Sequence, residues 1–249
     1  MNINKISLVL MSSLVVVFFV QKYKEDNLSI AGFESAKVLG AKACSEGFCG
    51  FDVILIDGII NNNTSRELSK FLKGRKQSQV PDIVCFNSPG GGADGAFELG
   101  NLIAQNKLNT CVADEYLLVD GNKISNVQCG SACPYALLAG KRRVLHGLAS
   151  NIWVHSSGST SVFFGTRKEI SEEERFEDKV EFKERIDSYS KINNGRQRYK
   201  EAHDALVEYS FTIPHMSIQT IDPAKLVSEY FVITDLMLHS LMDPGTSLK

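Results

Sequence analysis

The 249-residue chain is long enough for one domain with a real hydrophobic core, since 43% of its residues are hydrophobic. Its formal net charge is only −2. This charge offers no electrostatic attraction to nucleic acid, so we expect no nucleic-acid partner.

The N-terminal segment of residues 6–20 is almost wholly apolar, with Lys5 before it and Lys22 and Lys24 after it. A short apolar run between lysines at a chain's start is typical of a signal peptide or a short membrane anchor. No small-x-small cleavage site follows Val20, so both interpretations stay open beside that of a buried core helix. We therefore expect a periplasmic or other extracytoplasmic protein, bound to the membrane through this segment if it is not cleaved.

The domain organisation follows from these changes in composition. Residues 1–24 are predicted to be the signal peptide or anchor. Residues 25–50, which are polar and rich in glycine, are predicted to be a linker. Residues 51–240 are predicted to form the folded domain.

The chain has six cysteines, at positions 44, 49, 85, 111, 129 and 133. An even number behind an export signal favours disulfides in an oxidising compartment. Cys44 and Cys49 are close enough to close a loop, whereas Cys129 and Cys133 can bridge each other or Cys111. The Cys-x-x-x-Cys spacing is also zinc-like, but no second regular Cys/His pair accompanies it, so we expect no metal.

Strands and helices alternate along the folded part. Strands are predicted at residues 51–60, 82–87, 110–113, 143–145, 151–154 and 232–234, and helices at 64–73, 93–105, 131–139, 169–209 and 224–230. A break at Asn193-Asn194-Gly195 divides the long charged helical region, and residues 114–128 are predicted to form a hairpin turning at Asp120-Gly121. This alternation predicts an α/β fold with a mostly parallel core sheet.

Three motifs carry candidate chemistry. The first is the turn Asn87-Ser88-Pro89-Gly90-Gly91 at a strand end, where adjacent glycines let backbone N–H groups face a bound carbonyl. The second is Ser131 within Cys-Gly-Ser-Ala-Cys, a setting for a sharp turn at a helix N-terminus, where negative charge is favoured. The third is His155 after a strand, which as a neutral base can accept the serine proton.

Each motif also has a structural interpretation when it is taken alone. The glycine motif is an ordinary turn, the serine is a common helix N-cap, and a histidine at a strand end is often structural. The order and spacing of the three motifs, over residues 51–157, resemble the ClpP/crotonase superfamily. With the export segment, the chain is most similar to secreted or periplasmic ClpP-like serine proteases.

This resemblance implies a spiral of ββα units with a mostly parallel sheet and a long charged C-terminal helical region. It implies that Ser131 is the nucleophile and His155 the general base, with the amides of Gly91 and Ala132 as the oxyanion hole. The expected reaction is acyl transfer from a peptide or protein substrate to Ser131, followed by hydrolysis. No cofactor is expected, and a homo-oligomer, either a trimer or a hexamer, is usual in the superfamily.

The third catalytic residue is where the sequence departs from the family, because residues 211–216 hold no carboxylate where the family has an aspartate. Asp204 is the best-placed carboxylate. The alternatives are an orienting backbone carbonyl, a Ser–Lys dyad, or another side chain near His155; these candidates are Asp222, Thr212, Ser210, His215 and, for the dyad, Lys141.

Two other functions compete with that of an extracytoplasmic serine hydrolase or peptidase. One is a non-catalytic ClpP-like binding or scaffold protein of the envelope, in which Ser131 and His155 only pack. The other is a crotonase-type acyl-CoA enzyme, which export disfavours because CoA is cytosolic.

Overall fold

A computed structural model describes residues 35–74, 81–149, 151–161, 166–168, 170–192 and 197–236 of the chain. The predicted signal peptide or anchor lies outside these residues, as does the predicted break at Asn193-Asn194-Gly195. Among the helices that the structure describes, none is both long and apolar enough to cross a membrane.

The part of the chain that the structure describes contains both strands and helices along its length. The strands are β1 (Lys37–Ser45), β2 (Phe48–Asp57), β3 (Ile83–Asn87), β4 (Asn109–Ala113), β5 (Glu115–Leu118), β6 (Lys123–Ile124), β7 (Gln128–Gly130), β8 (Arg143–His146), β9 (Asn151–Val154), β10 (Ser159–Ser161), β11 (Thr166–Lys168), β12 (Gln219–Thr220) and β13 (Asp235–Leu236). The helices are α1 (Asn62–Lys73), α2 (Ala93–Gln105), α3 (Cys133–Leu137), α4 (Glu172–Ile192), α5 (Gln197–Thr212) and α6 (Pro223–Ser228).

The main sheet has eight strands in the order β13-β8-β4-β3-β2-β1-β5-β6. The five strands from β13 to β2 are parallel to their neighbours, and β1, β5 and β6 add an antiparallel edge. Parallel strands need cover on both faces, which explains why β3 and β4 consist mainly of buried residues. The prediction of an α/β fold with a mostly parallel sheet is confirmed.

The N-terminal edge of the sheet corrects the predicted linker. Residues 37–50 are not a linker, because β1 pairs antiparallel with β2 along its length and the Cys44–Cys49 disulfide closes the hairpin. Small residues, Gly40, Ala41 and Ala43, give β1 few of the branched and aromatic side chains typical of strands. Pairing with β2 and β5 therefore stabilises this strand more than its own pattern suggests.

Several other boundaries differ from the sequence-based ones. The helix predicted over 131–139 is only α3, so Ser131 precedes the helix instead of beginning it. The last strand lies at Asp235–Leu236 instead of 232–234, and it pairs with β8. The hairpin at Asp120-Gly121 is confirmed, since β5 and β6 pair antiparallel around it.

The long charged region folds as α4 and α5, and α4 buries one face. Phe182 packs edge to face against Phe97 of α2 and Tyr135 of α3, with ring centroids 5.0 Å apart in both pairs. The Tyr189 hydroxyl donates a hydrogen bond to the Phe97 carbonyl at 3.1 Å. These contacts pack α4 against α2 and α3, the helices that follow the glycine turn and the Ser131 turn.

A second sheet, in the order β12-β9-β7, carries the candidate residues. Strands β7 and β9 are parallel, with Gly130 opposite Trp153. A single parallel bridge, between Ser88 and Cys129, joins β7 to the glycine turn after β3. The chain segments ending at Gly91, Ser131 and His155 therefore meet at one edge.

Candidate active site

Ser131 is the first residue after β7, and its backbone has a φ of +53°. A non-glycine residue in this left-handed region costs about 1–2 kcal/mol, and such strain is concentrated at functional turns. The Ser131 amide donates a hydrogen bond to the Trp153 carbonyl at 3.0 Å. A Cβ at the preceding residue, Gly130, would overlap the Trp153 ring, so only glycine fits there. The turn thus fixes Ser131 at the strand end and leaves it half-buried.

The glycine turn packs directly against Ser131. Gly90 and Gly91 have φ values of +99° and +146°, which favour glycine. The Gly90 amide donates a hydrogen bond to the Ser88 hydroxyl oxygen at 3.0 Å, and the Gly92 amide donates to the Ile60 carbonyl at 3.0 Å. The Gly91 amide lies between these two amides. It donates to no acceptor among the described residues.

The Ala132 amide, next to the candidate nucleophile, is likewise without an acceptor in the described part of the chain. Ala132 is buried, and its backbone already has helical angles at the start of α3. The Ala132 amide is next to Ser131 in the chain, and the Gly91 amide follows Gly90, which packs against Ser131. Such amides can donate hydrogen bonds to a negatively charged oxygen that forms beside the serine.

His155 directly follows β9, the strand parallel to β7. Because carboxyl ends of parallel strands lie at the same edge of a sheet, Ser131 and His155 share that edge. The His155 Nδ1 lies 2.6 Å from the Ser156 carbonyl oxygen. A carbonyl can only accept, so Nδ1 is the donor in this contact, and in the corresponding neutral tautomer the lone pair lies on Nε2.

Two aromatic side chains hold the His155 ring. Trp153 stacks on it, with centroids 5.8 Å apart and planes at 23°. His215 contacts it edge to face, with centroids 4.9 Å apart. The His215 loop is brought here by a hydrogen bond from the Ser156 amide to the Ile213 carbonyl at 2.9 Å.

The carboxylates considered for the third role have other partners. Asp204, on α5, lies 3.4 Å from the Lys200 ammonium, one helical turn away. Asp222 caps α6, accepting a hydrogen bond from the Ala224 amide at 2.8 Å. Neither contact involves His155.

Four other side chains were candidates for the third role: Ser210, Thr212, Lys141 and His215. The Ser210 hydroxyl pairs with the Tyr135 hydroxyl at 2.8 Å, and the Thr212 hydroxyl donates to the Tyr209 carbonyl at 2.7 Å. Lys141 is exposed in the turn before β8. His215, also among the side chains considered, contacts the His155 ring edge to face. Sequence alone ranked Asp204 above it because an aspartate is the familiar partner of a catalytic histidine.

All six cysteines form disulfides: Cys44–Cys49, Cys85–Cys111 and Cys129–Cys133. Of the alternatives left open for Cys129 and Cys133, the structure selects the bridge between them, which closes a small ring around Ser131. Cys85 and Cys111 lie opposite each other on β3 and β4. Among the described residues, no cluster of potential metal ligands is found.

No protein-family model and no curated protein matches this chain. Solved structures do resemble it. A serine-to-alanine mutant of the 1510-N membrane-bound stomatin-specific protease is 16% identical, with a TM-score of 0.50, covering 76% of this chain and 81% of that one. A lysine-to-alanine mutant of the same protease, in complex with a substrate peptide, is 16% identical with a TM-score of 0.52, covering 76% and 77%.

ClpP1 from Listeria monocytogenes is 12% identical, with a TM-score of 0.48, covering 74% of this chain and 90% of that one. At such identities, structural likeness concerns the fold. The described residues therefore have an α/β fold similar to that of the 1510-N protease.

Proposed function

We propose that this chain is an extracytoplasmic serine hydrolase, specifically a peptidase, that acts through an acyl-enzyme on Ser131. The observation that carries the proposal is the juxtaposition of a strained Ser131, the unengaged amides of Gly91 and Ala132, and His155 at the neighbouring strand end. A packing role for the serine does not account for the two amides near it that have no acceptor among the described residues. The ClpP-like fold supports the same function.

In the proposed reaction, the Ser131 hydroxyl oxygen attacks the carbonyl carbon of a peptide bond while its proton passes to His155 Nε2. The carbonyl oxygen becomes negatively charged and accepts hydrogen bonds from the Gly91 and Ala132 amides. The protonated His155 then gives its proton to the leaving amine, and the C–N bond breaks. Water, deprotonated by His155, hydrolyses the resulting ester and regenerates Ser131.

The orienting group for His155 is proposed to be the Ser156 backbone carbonyl. It accepts a hydrogen bond from Nδ1 at 2.6 Å, which keeps the basic lone pair on Nε2. The partial negative charge of a carbonyl also stabilises the imidazolium that forms, although less than a carboxylate does. We therefore expect a slower enzyme than one with a full Ser-His-Asp triad.

The location outside the cytoplasm is supported by the disulfides. Three bridges among six cysteines are typical of oxidising compartments and rare in the cytosol. A thiol-reactive mass tag added to intact cells, before any reductant, tests this. Six unmodified cysteines after denaturation support export, whereas six tagged thiols contradict it.

The catalytic proposal is tested with a fluorophosphonate, which modifies activated serines covalently. Wild-type protein should be labelled, and peptide mass spectrometry should place the adduct on Ser131. Ser131→Ala should abolish the label. Ser125→Ala is the matched control, because Ser125 is an exposed hydroxyl that donates to Glu115 at 2.9 Å, in the loop before β7.

Absence of labelling in the folded wild-type protein contradicts the hydrolase proposal. That result favours the alternative of a non-catalytic ClpP-like binding or scaffold protein. If labelling occurs, a library of fluorogenic peptides defines the substrate class. Light scattering then tests the proposed trimer or hexamer directly.

A further inference from the structure

The Ser156 carbonyl has two imidazole neighbours instead of one. His155 Nδ1 lies 2.6 Å from its oxygen, and His215 Nδ1 lies 3.2 Å from the same oxygen. A carbonyl oxygen has two lone pairs, so it can accept from both rings at once. The two histidines thus share one acceptor and also touch through their rings.

The second ring nitrogen of His215, Nε2, lies on the opposite side of the ring from Nδ1. This nitrogen is buried and forms no hydrogen bond among the described residues. Gly158 packs on the ring so closely that an added Cβ would overlap it. Leaving a buried polar nitrogen without a hydrogen bond is energetically costly. The ring nevertheless lies where its Nδ1 reaches the Ser156 carbonyl oxygen.

We propose that His215 is a positioning residue for His155, a role that rests on the proposed hydrolase function. Its Nδ1–H donates to the Ser156 carbonyl oxygen, and its ring edge packs against the His155 ring. Together they fix the acceptor and the imidazole that this acceptor orients.

The local backbone explains why such support is needed. Ser156 follows the end of β9, where the ladder to β7 stops, and its own amide is held by the Ile213 carbonyl of the same loop that carries His215. A backbone carbonyl outside a ladder is positioned only by such contacts. Displacing a catalytic group by about 1 Å can lower the rate on the order of a hundredfold. Loss of the second donor should therefore reduce the rate of the chemical step.

Two variants separate the donor from the ring. His215→Phe keeps an aromatic ring of similar shape but removes the N–H donor. His215→Asn removes the ring but retains an N–H donor close to the position of Nδ1. The readouts are the maximal rate of fluorophosphonate inactivation, its half-saturating concentration, and the melting temperature.

For His215→Phe, we expect the maximal inactivation rate to fall on the order of a hundredfold. The half-saturating concentration should stay within about twofold, because His215 is not proposed to contact the probe. His215→Asn should recover most of the lost rate. If His215→Phe does not fold, His215→Leu serves as the donor-free variant.

An unchanged rate in the donor-free variant, or equal losses in the donor-free and asparagine variants, would overturn the positioning role. A loss confined to melting temperature would do so as well. If the wild-type protein is not labelled at all, the proposed function fails instead, so the two failures are distinguishable.

Discussion

Gly90 lies so close to Ser131 that a Cβ added to Gly90 would come 2.5 Å from the Ser131 Cβ. The same added atom would lie 2.9 Å from the Ala132 amide nitrogen. These residues belong to turns after different strands, and the Ser88–Cys129 bridge holds the two turns together. The absence of one side chain thus lets the glycine turn and the serine turn form a single site.

Gly90→Ala should therefore disable the site with little effect on the distant core. The new methyl group forces Ser131 and the Ala132 amide away from the glycine turn, and the φ of +99° is strained for alanine. Because loss of one oxyanion donor costs about a hundredfold or more in rate, we expect fluorophosphonate labelling to slow by at least that factor.

Gly92→Ala is the matched control two residues away. Nothing lies within 4 Å of an added Cβ at Gly92, and its φ is −74°. The hydrogen bond from its amide to the Ile60 carbonyl is retained. We expect labelling within about twofold of wild type and a stability change of about 1 kcal/mol or less. Equal labelling of the Gly90 and Gly92 variants would contradict the close-contact argument.

Asp204→Asn asks whether a carboxylate supports His155. Because Asp204 pairs with Lys200 on α5, its substitution should remove only a partly exposed ion pair, worth about 0.3–0.5 kcal/mol. We expect the maximal labelling rate to change by less than about threefold, against a fall of about 10⁴ when a triad aspartate is replaced. A loss of that larger size would restore Asp204 as the third catalytic residue.

The sequence predicted the parallel core because local signals agreed there with the tertiary structure. The alternation of buried strands and amphipathic helices placed α2 at its observed bounds and β3 within one residue. The glycine turn was recognisable for a similar reason, since adjacent glycines with positive φ are a local requirement.

The features that sequence did not predict depend on contacts distant in the chain. β1 is held by pairing with β2 and β5, and no local pattern marked it as a strand. His215 was one of several candidate partners of His155 in the sequence, but its selection depends on the loop after α5 returning to the end of β9, through the Ser156–Ile213 hydrogen bond. Neither spacing nor composition encodes that return.

His203 should make stability depend on pH. It is buried on α5, and burial, with the nearby positive charge of Arg143, lowers its pKa to about 3. In the unfolded chain the pKa is about 6.5, so the unfolded state binds a proton that the folded state excludes. The contribution of His203 to the free energy of unfolding is thus fully present above about pH 6.5. It is lost as the pH drops from there toward 3, and the loss at pH 5 is about 2 kcal/mol.

His203→Phe removes this titration while retaining an aromatic ring beside Tyr199, whose ring centroid lies 6.4 Å away. Urea unfolding at pH 7 and pH 5 measures the effect in both proteins. We expect the stability difference between the two pH values to be smaller in the variant by about 2 kcal/mol. Parallel pH dependences would show that His203 is not the responsible group.

The Cys129–Cys133 disulfide closes a ring of chain around Ser131, and its removal should affect both stability and the site. Replacing both cysteines by alanine should destabilise the fold by about 2 kcal/mol, from the chain entropy of a short loop. Since this ring contains the strained turn, Ser131 should relax from its left-handed conformation. We expect labelling to slow at least tenfold, on the scale of a small displacement of a catalytic group.

The Cys44–Cys49 pair offers a matched control, because it closes a loop of similar length, with a sequence separation of 5 against 4. Its double alanine variant should lose a similar free energy of unfolding, about 2 kcal/mol. Its labelling rate should nevertheless remain near that of wild type, because this bridge lies in the β1–β2 hairpin and not at the serine turn. Unfolding curves and labelling rates of the two variants, measured side by side, separate general destabilisation from loss of the turn. If both variants lose labelling in proportion to stability, the disulfide at Ser131 has no specific role in shaping the nucleophile.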